Sequence, residues 1–68
     1  MYSTYTHKAR ATGQSTTFCV HVTDRPSVVR IGTDVTGMQV TDRKGTAIYA
    51  TAETLPAVAS RWLRTRRF

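Results

Sequence analysis

The residues best suited to chemistry lie at the end of the chain, where arginines alternate with apolar residues. The segment 61–68, RWLRTRRF, contains Arg61, Arg64, Arg66 and Arg67. A guanidinium is permanently charged, and its planar fork of N–H donors matches phosphate and carboxylate oxygens. The dipole of a helix C-terminus would stabilise one or two such cations, whereas like charges three residues apart repel each other. We therefore expect this segment to bind an anionic partner; a solvated helix end is the other interpretation.

The positive charge of the chain is concentrated at its two ends. The formal net charge is +6, and residues 18–60 contribute none of it because their basic and acidic residues balance. Lys8 and Arg10 supply two positive charges near the N-terminus, and we include them in the predicted binding surface. Eight of the ten basic residues are arginine, which favours specific contacts with phosphate or carboxylate, although a GC-rich genome would produce the same bias.

Nucleic acid and an acidic protein surface are both suitable partners for these cations. Nucleic acid would be contacted first at its phosphates, which give affinity and salt dependence without sequence choice. Tyr2 and Tyr5 could add base stacking, unless they cover an edge strand instead. Arg30, Arg43 or Lys44 on a sheet or hairpin could enter a major groove. A small inhibitor or accessory protein from a phage or plasmid would use the same cations to bind a host protein.

Evidence for catalysis or metal binding is weak. Cys19 and His21 share one face of a predicted strand, where they could form a nucleophile with its base, or half of a metal site with His7. Zinc sites use four ligands at closer spacing, and Asp24 in a turn is a poor candidate to orient the base. The segment 32–37, GTDVTG, lacks the lysine and the helix of a phosphate-binding loop. We predict no enzymatic activity, no cofactor, no metal site and no small-molecule substrate.

The length of the chain, 68 residues, predicts a single domain near the lower size limit for a stable core. Cys19 is the one cysteine, so no disulfide can form within the chain, which is typical of a reducing compartment. The N-terminus lacks the apolar stretch of a signal peptide, and no run is long enough to span a membrane. We expect one cytoplasmic domain, residues 1–68, with a homodimer as one way to complete so small a core.

The first fifty residues are rich in threonine and valine and alternate in polarity, as strands do. The segment 16–23, TTFCVHVT, is the clearest strand: Phe18, Val20 and Val22 lie on its buried face, and Cys19 on the less buried one. Further strands are predicted, in chain order, at 2–10, 27–33, 38–41 and 46–50, with 2–10 the weakest. Turns are predicted at 24–27 and 42–45, and an interruption at 33–37.

The segment after residue 50 has the period of an amphipathic helix. Its apolar residues recur at helical spacing and form one stripe, which consists of Leu55, Val58, Ala59, Trp62 and Leu63. Pro56 must lie in the first turn, which favours Thr54 over Thr51 as the N-cap. A helix of about twelve residues is too short to be stable alone, so its stripe must pack on the sheet. Arg61 and Arg64 then lie on the solvent side.

The predicted fold is α+β: a small antiparallel β-meander of three to four strands with one C-terminal helix packed on one face. In the order of its elements alone, this arrangement resembles the small domains with which phage and transposon integrases bind arm sites on DNA. That resemblance would imply DNA binding through the sheet, but no motif is shared, and unrelated inhibitor and interaction domains have the same order. We therefore predict a small basic binding module whose partner is nucleic acid or an acidic protein surface.

Overall fold

The computed structural model describes residues 1–65, which form antiparallel β-structure covered by a C-terminal helix. Its elements are β1 (Tyr2–Lys8), β2 (Ser15–His21), β3 (Ser27–Val28), β4 (Arg30–Ile31), β5 (Met38–Gln39), β6 (Tyr49–Ala50) and α1 (Leu55–Thr65). Strands β1, β2, β4 and β5 form a four-stranded sheet in that order, and β3 pairs with β6 in a second sheet of two strands. The predicted α+β fold is confirmed. Within residues 1–65, no helix is long and apolar enough to cross a membrane.

The weakest predicted strand is present, and with its neighbour it forms the longest ladder of the sheet. β1 and β2 pair antiparallel along their whole length, from Tyr2 opposite His21 to Lys8 opposite Ser15. Every second residue of β1 is half-buried, and Tyr5 packs against the core. β1 also lies at the edge of the sheet, so one of its faces covers the core while its outer edge is unpaired within the described chain.

Three extended segments meet at a closed ring of backbone hydrogen bonds. Val29 donates its N–H to the carbonyl of Ile48 at 2.8 Å, Ile48 donates to Val40 at 3.0 Å, and Val40 donates back to Val29 at 2.9 Å. Val29 lies between β3 and β4, so the predicted strand 27–33 is a single segment that changes sheets at this residue. Val29 and Val40 are each 1% exposed, so the ring also closes the core.

The segment 46–50 was expected to extend one meander, and the structure places it differently. Thr41 and Ala47 still pair across the predicted turn 42–45. Beyond the ring, however, Tyr49 and Ala50 pair with β3 rather than with β5. The ring is the physical reason, because the carbonyl of Ile48 must turn toward Val29 to accept its N–H.

Cys19 lies in the core and not on a less buried face, which corrects the prediction from alternation. Three consecutive residues of β2 are buried: Phe18, Cys19 and Val20. The segment 33–37 covers the outer face of β2, where the Cys19 thiol donates to the carbonyl of Asp34 at an Sγ–O distance of 3.7 Å. Val22, expected to share the buried face, lies past the end of β2 and is exposed.

The position of Pro56 is compatible with the observed start of α1. α1 starts at Leu55, directly after Thr54, so Pro56 lies in the first turn as predicted. The side-chain cap is shared with Thr51: the Thr51 N–H donates to Thr54 Oγ1 at 2.9 Å, and the Thr54 N–H donates to Thr51 Oγ1 at 3.2 Å. This reciprocal pattern is that of a capping box with Thr51 in the N-cap position and Thr54 three residues later, so the prediction that favoured Thr54 over Thr51 as the N-cap is wrong.

The predicted apolar stripe of α1 packs on the sheet. All of its members are buried or half-buried against the core, namely Leu55, Val58, Ala59, Trp62 and Leu63. The Trp62 ring meets Phe18 edge-on, with the ring centroids 5.8 Å apart. Its indole N–H donates to the carbonyl of Thr41 at 2.8 Å, which satisfies the polar atom of this half-buried ring.

Replacing Leu55 with alanine should lower the free energy of unfolding by about 2–5 kcal/mol, because this side chain is fully buried at the start of the docked helix. Val35, which is 60% exposed, provides the control, since Val35→Ala should change stability by no more than about 0.5 kcal/mol. Urea unfolding followed by circular dichroism measures both. Equal losses in the two variants would mean that α1 is not anchored through Leu55.

Candidate functional site

The C-terminal half of α1 and the hairpin turn 42–45 border one open groove of about 1210 Å³. This volume exceeds the roughly 300–1,000 Å³ of ordinary small-molecule pockets, and the groove is open to solvent. Its shape therefore suits an extended chain or a surface better than an enclosed small molecule. Four basic residues line it: Arg43, Lys44, Arg61 and Arg64.

The hairpin turn has a defined shape because of Asp42 and Gly45. Asp42 Oδ1 accepts hydrogen bonds from the backbone N–H of Lys44 at 2.8 Å and of Thr46 at 3.0 Å. Gly45 has a φ of 84°, a left-handed conformation that glycine adopts without strain. The turn presents Arg43 and Lys44 at an exposed tip. Asp42 also lines the groove, and one of its two carboxylate oxygens accepts both of these backbone hydrogen bonds.

Two hydrogen bonds to backbone carbonyls join the hairpin to the helix. One is the bond from the Trp62 indole to Thr41, immediately before the turn. In the other, the Arg43 guanidinium donates to the carbonyl of Thr65 at 3.1 Å. Carbonyls in the last turn of a helix carry partial negative charge and lack a helical partner. A guanidinium has five N–H donors, so this contact leaves Arg43 with further donors for an anion.

Arg61 and Arg64 are exposed on α1, on the side away from the apolar stripe. Within residues 1–65, no carboxylate forms an ion pair with either guanidinium. Their predicted exposure is confirmed, and their role in binding stays a prediction. Arg66 and Arg67, the other two members of the predicted cluster, lie outside the described residues.

Tyr49 is an aromatic residue of the groove that sequence patterns do not single out. It is 57% exposed, although it belongs to β6 and is paired with Val28. Ala50, the next residue, is buried, and Ile48, the preceding one, is half-buried. This alternation is the one sequence signal that could have identified Tyr49 as an outward-facing strand residue.

The N-terminal basic residues do not belong to the groove. Lys8 is exposed at the end of β1 and Arg10 in the turn that follows, and neither lines the groove. Tyr5 is packed against the core, and the Tyr2 ring lies 5.3 Å from that of His21, centroid to centroid. The structure thus agrees with the edge-strand interpretation for Tyr5, whereas Tyr2 is 37% exposed.

Arg30, a further candidate for contact with a major groove, is half-buried and contacts a loop of its own chain. Its guanidinium donates to the carbonyl of Gly37 at 3.0 Å. A Cβ at Gly37 would overlap the carbonyl oxygen of Ile31, so the loop lies tightly against β4. Asp34 orders the same loop, because the hydroxyl of Thr36 and its N–H donate to the Asp34 carboxylate and hold the pKa of this carboxyl below its usual value.

Cys19 and His21 do not form a reactive pair. Cys19 is 0% exposed, whereas His21 is exposed at the end of β2. Burial raises the pKa of the Cys19 thiol, the negative charge of Asp34 raises it further, and Arg30 opposes the change. The reactive thiolate is therefore suppressed. Among residues 1–65, no group of three or more His, Cys, Asp and Glu side chains is placed to hold a metal ion.

The raised pKa of Cys19 should appear as a loss of stability at high pH. The unfolded thiol ionises near its ordinary pKa of 9.0, whereas the folded thiol holds its proton to higher pH. Stability from this group is therefore fully present below that value and is lost as the pH rises through the folded pKa. Urea unfolding at pH values around and above 9.0 should show a smaller decline in the free energy of unfolding for Cys19→Ala than for the unaltered protein. Because the two proteins share every other ionisable group, the difference between them reports Cys19. Parallel profiles would contradict the assignment.

Comparison with known proteins gives no relative of this chain: no family model, no curated protein and no solved structure matches it. The resemblance to the arm-binding domains of integrases is one of element order. What the protein does is accordingly inferred from the groove, its charges and its exposed tyrosine.

Proposed function

We propose that this protein is a small, non-enzymatic nucleic-acid-binding module that holds phosphates in the groove between α1 and the turn 42–45. One observation carries the proposal: basic residues from two separate parts of the chain line the same groove, and they are Arg43, Lys44, Arg61 and Arg64. Arg66 and Arg67 follow directly in sequence and are included in the proposed surface.

The grouping of these cations is costly unless a partner neutralises them. Like charges that share a groove repel each other, and the one carboxylate that lines this groove, among the described residues, is that of Asp42. A polyanion with regularly spaced charges neutralises several cations at once and releases its condensed counterions. This release favours a nucleic acid over a single small anion.

The shape of the groove favours nucleic acid over an acidic protein surface. A phosphate chain can lie along the groove and contact both walls, Arg43 and Lys44 on one side and Arg61 and Arg64 on the other. A flat protein surface would meet only the rims. Lys8 and Arg10, which lie outside the groove, would add long-range attraction through the net charge of +6.

The double variant Arg61→Ala/Arg64→Ala should weaken binding and make it less dependent on salt. Each lost phosphate contact should reduce the slope of log K against log[salt] by about one unit, hence by about two in the double variant. Fluorescence anisotropy with labelled DNA and RNA, single-stranded and duplex, between about 50 and 200 mM salt provides the measurement.

Arg25→Glu is the matched control, because it lowers the net charge by the same two units at an exposed turn that does not line the groove. It should retain the slope of the unaltered protein. Equal slopes in the double variant and the unaltered protein would contradict the role of Arg61 and Arg64. If no nucleic acid binds, and a protein partner is instead captured from a nuclease-treated lysate, the acidic-protein hypothesis replaces the proposal.

A further inference from the structure

We infer that the nucleic acid bound in this groove is single-stranded and that one of its bases stacks on the exposed ring of Tyr49. This inference rests on the proposed function and specifies its substrate. It is carried by the position of an exposed aromatic ring among four cations that line the same groove.

The backbone of Tyr49 is paired in a sheet while much of the residue is exposed to solvent. Tyr49 pairs with Val28 across the two-stranded sheet, and its neighbours are Ile48 in the backbone ring and the buried Ala50. Tyr49 is nevertheless 57% exposed. A large aromatic residue exposed to water lacks hydrophobic free energy that a flat apolar partner would supply.

Trp62, the second aromatic residue that lines the groove, packs against the core. Its indole N–H donates to the carbonyl of Thr41, and its ring meets Phe18 edge-on. Its position is therefore determined by the core and by the hairpin that it anchors. Tyr49 is the aromatic residue of the described groove lining whose ring is mainly in solvent.

Cations and a ring in one groove fit a single strand better than a duplex. A single strand can turn a base away from its phosphates, so that phosphates contact arginines while the base stacks on an aromatic side chain. A duplex keeps its bases stacked inside and offers only their edges to a protein. Stacking of this kind accepts every base, because each has a flat π-face. We therefore expect a preference for single strands with little sequence preference.

Three labelled probes of equal length separate stacking from phosphate binding: an oligothymidylate, a duplex, and a strand with phosphates and abasic sugars but no bases. The unaltered protein should bind the oligothymidylate most tightly. Tyr49→Ala should weaken this binding by about 5- to 150-fold, as stacking on one aromatic ring does, and should leave binding to the abasic strand unchanged. Tyr49→Phe keeps the ring and should stay within about twofold of the unaltered protein.

The outcomes distinguish this inference from the proposed function. The stacking role would be overturned if Tyr49→Ala lost equal affinity for the oligothymidylate and the abasic strand. It would also be overturned if the unaltered protein bound the duplex as tightly as the oligothymidylate. Neither result contradicts the salt dependence that is proposed for Arg61 and Arg64. Absence of binding to all three probes would overturn both. Tyr49→Val retains a strand-favouring residue and replaces Tyr49→Ala if circular dichroism shows the alanine variant to be unfolded.

Discussion

The structure depends on the ring of three backbone hydrogen bonds among Val29, Val40 and Ile48. Buried N–H and carbonyl groups must be paired, and this ring pairs them where three extended segments would otherwise diverge. It allows one segment to belong to two sheets, so that a short chain surrounds its core without a long sheet. Val29 and Val40 also fill that core with their side chains, so the ring is both a hydrogen-bonding unit and a packing unit.

The same ring lies beside the candidate binding groove. In each of the three segments, the residue that follows a member of the ring makes a contact on the periphery. Arg30 holds the 33–37 loop, Thr41 accepts the indole N–H of α1, and Tyr49 stands in the groove. Side-chain alternation along a strand is consistent with the half-buried Arg30 after Val29 and the exposed Tyr49 after Ile48, whereas Thr41 makes its contact through its backbone carbonyl. The ring thus lies directly beside Tyr49, which lines the groove.

Local patterns in the sequence predict the helix and most of the strands, but they do not predict which strands pair with each other. The stripe from Leu55 to Leu63 and the position of Pro56 locate the helix, because both follow from helical geometry. The change of sheet at Val29 leaves no local pattern, since an alternating segment reads the same whichever strand it pairs with. The burial of Cys19 likewise depends on a loop that arrives later in the chain. The basic residues of the turn and of the helix are far apart in sequence, and only tertiary structure brings them together.

Arg43 takes part both in the fold and in the lining of the groove. The same guanidinium that donates to the Thr65 carbonyl at the end of α1 also lines the groove. The bond to Thr65 engages one N–H of a guanidinium that has five, and it fixes the end of a long side chain before any partner arrives. The conformational entropy of ordering Arg43 is then lost on folding, so a contact made through its remaining donors would not incur that cost again.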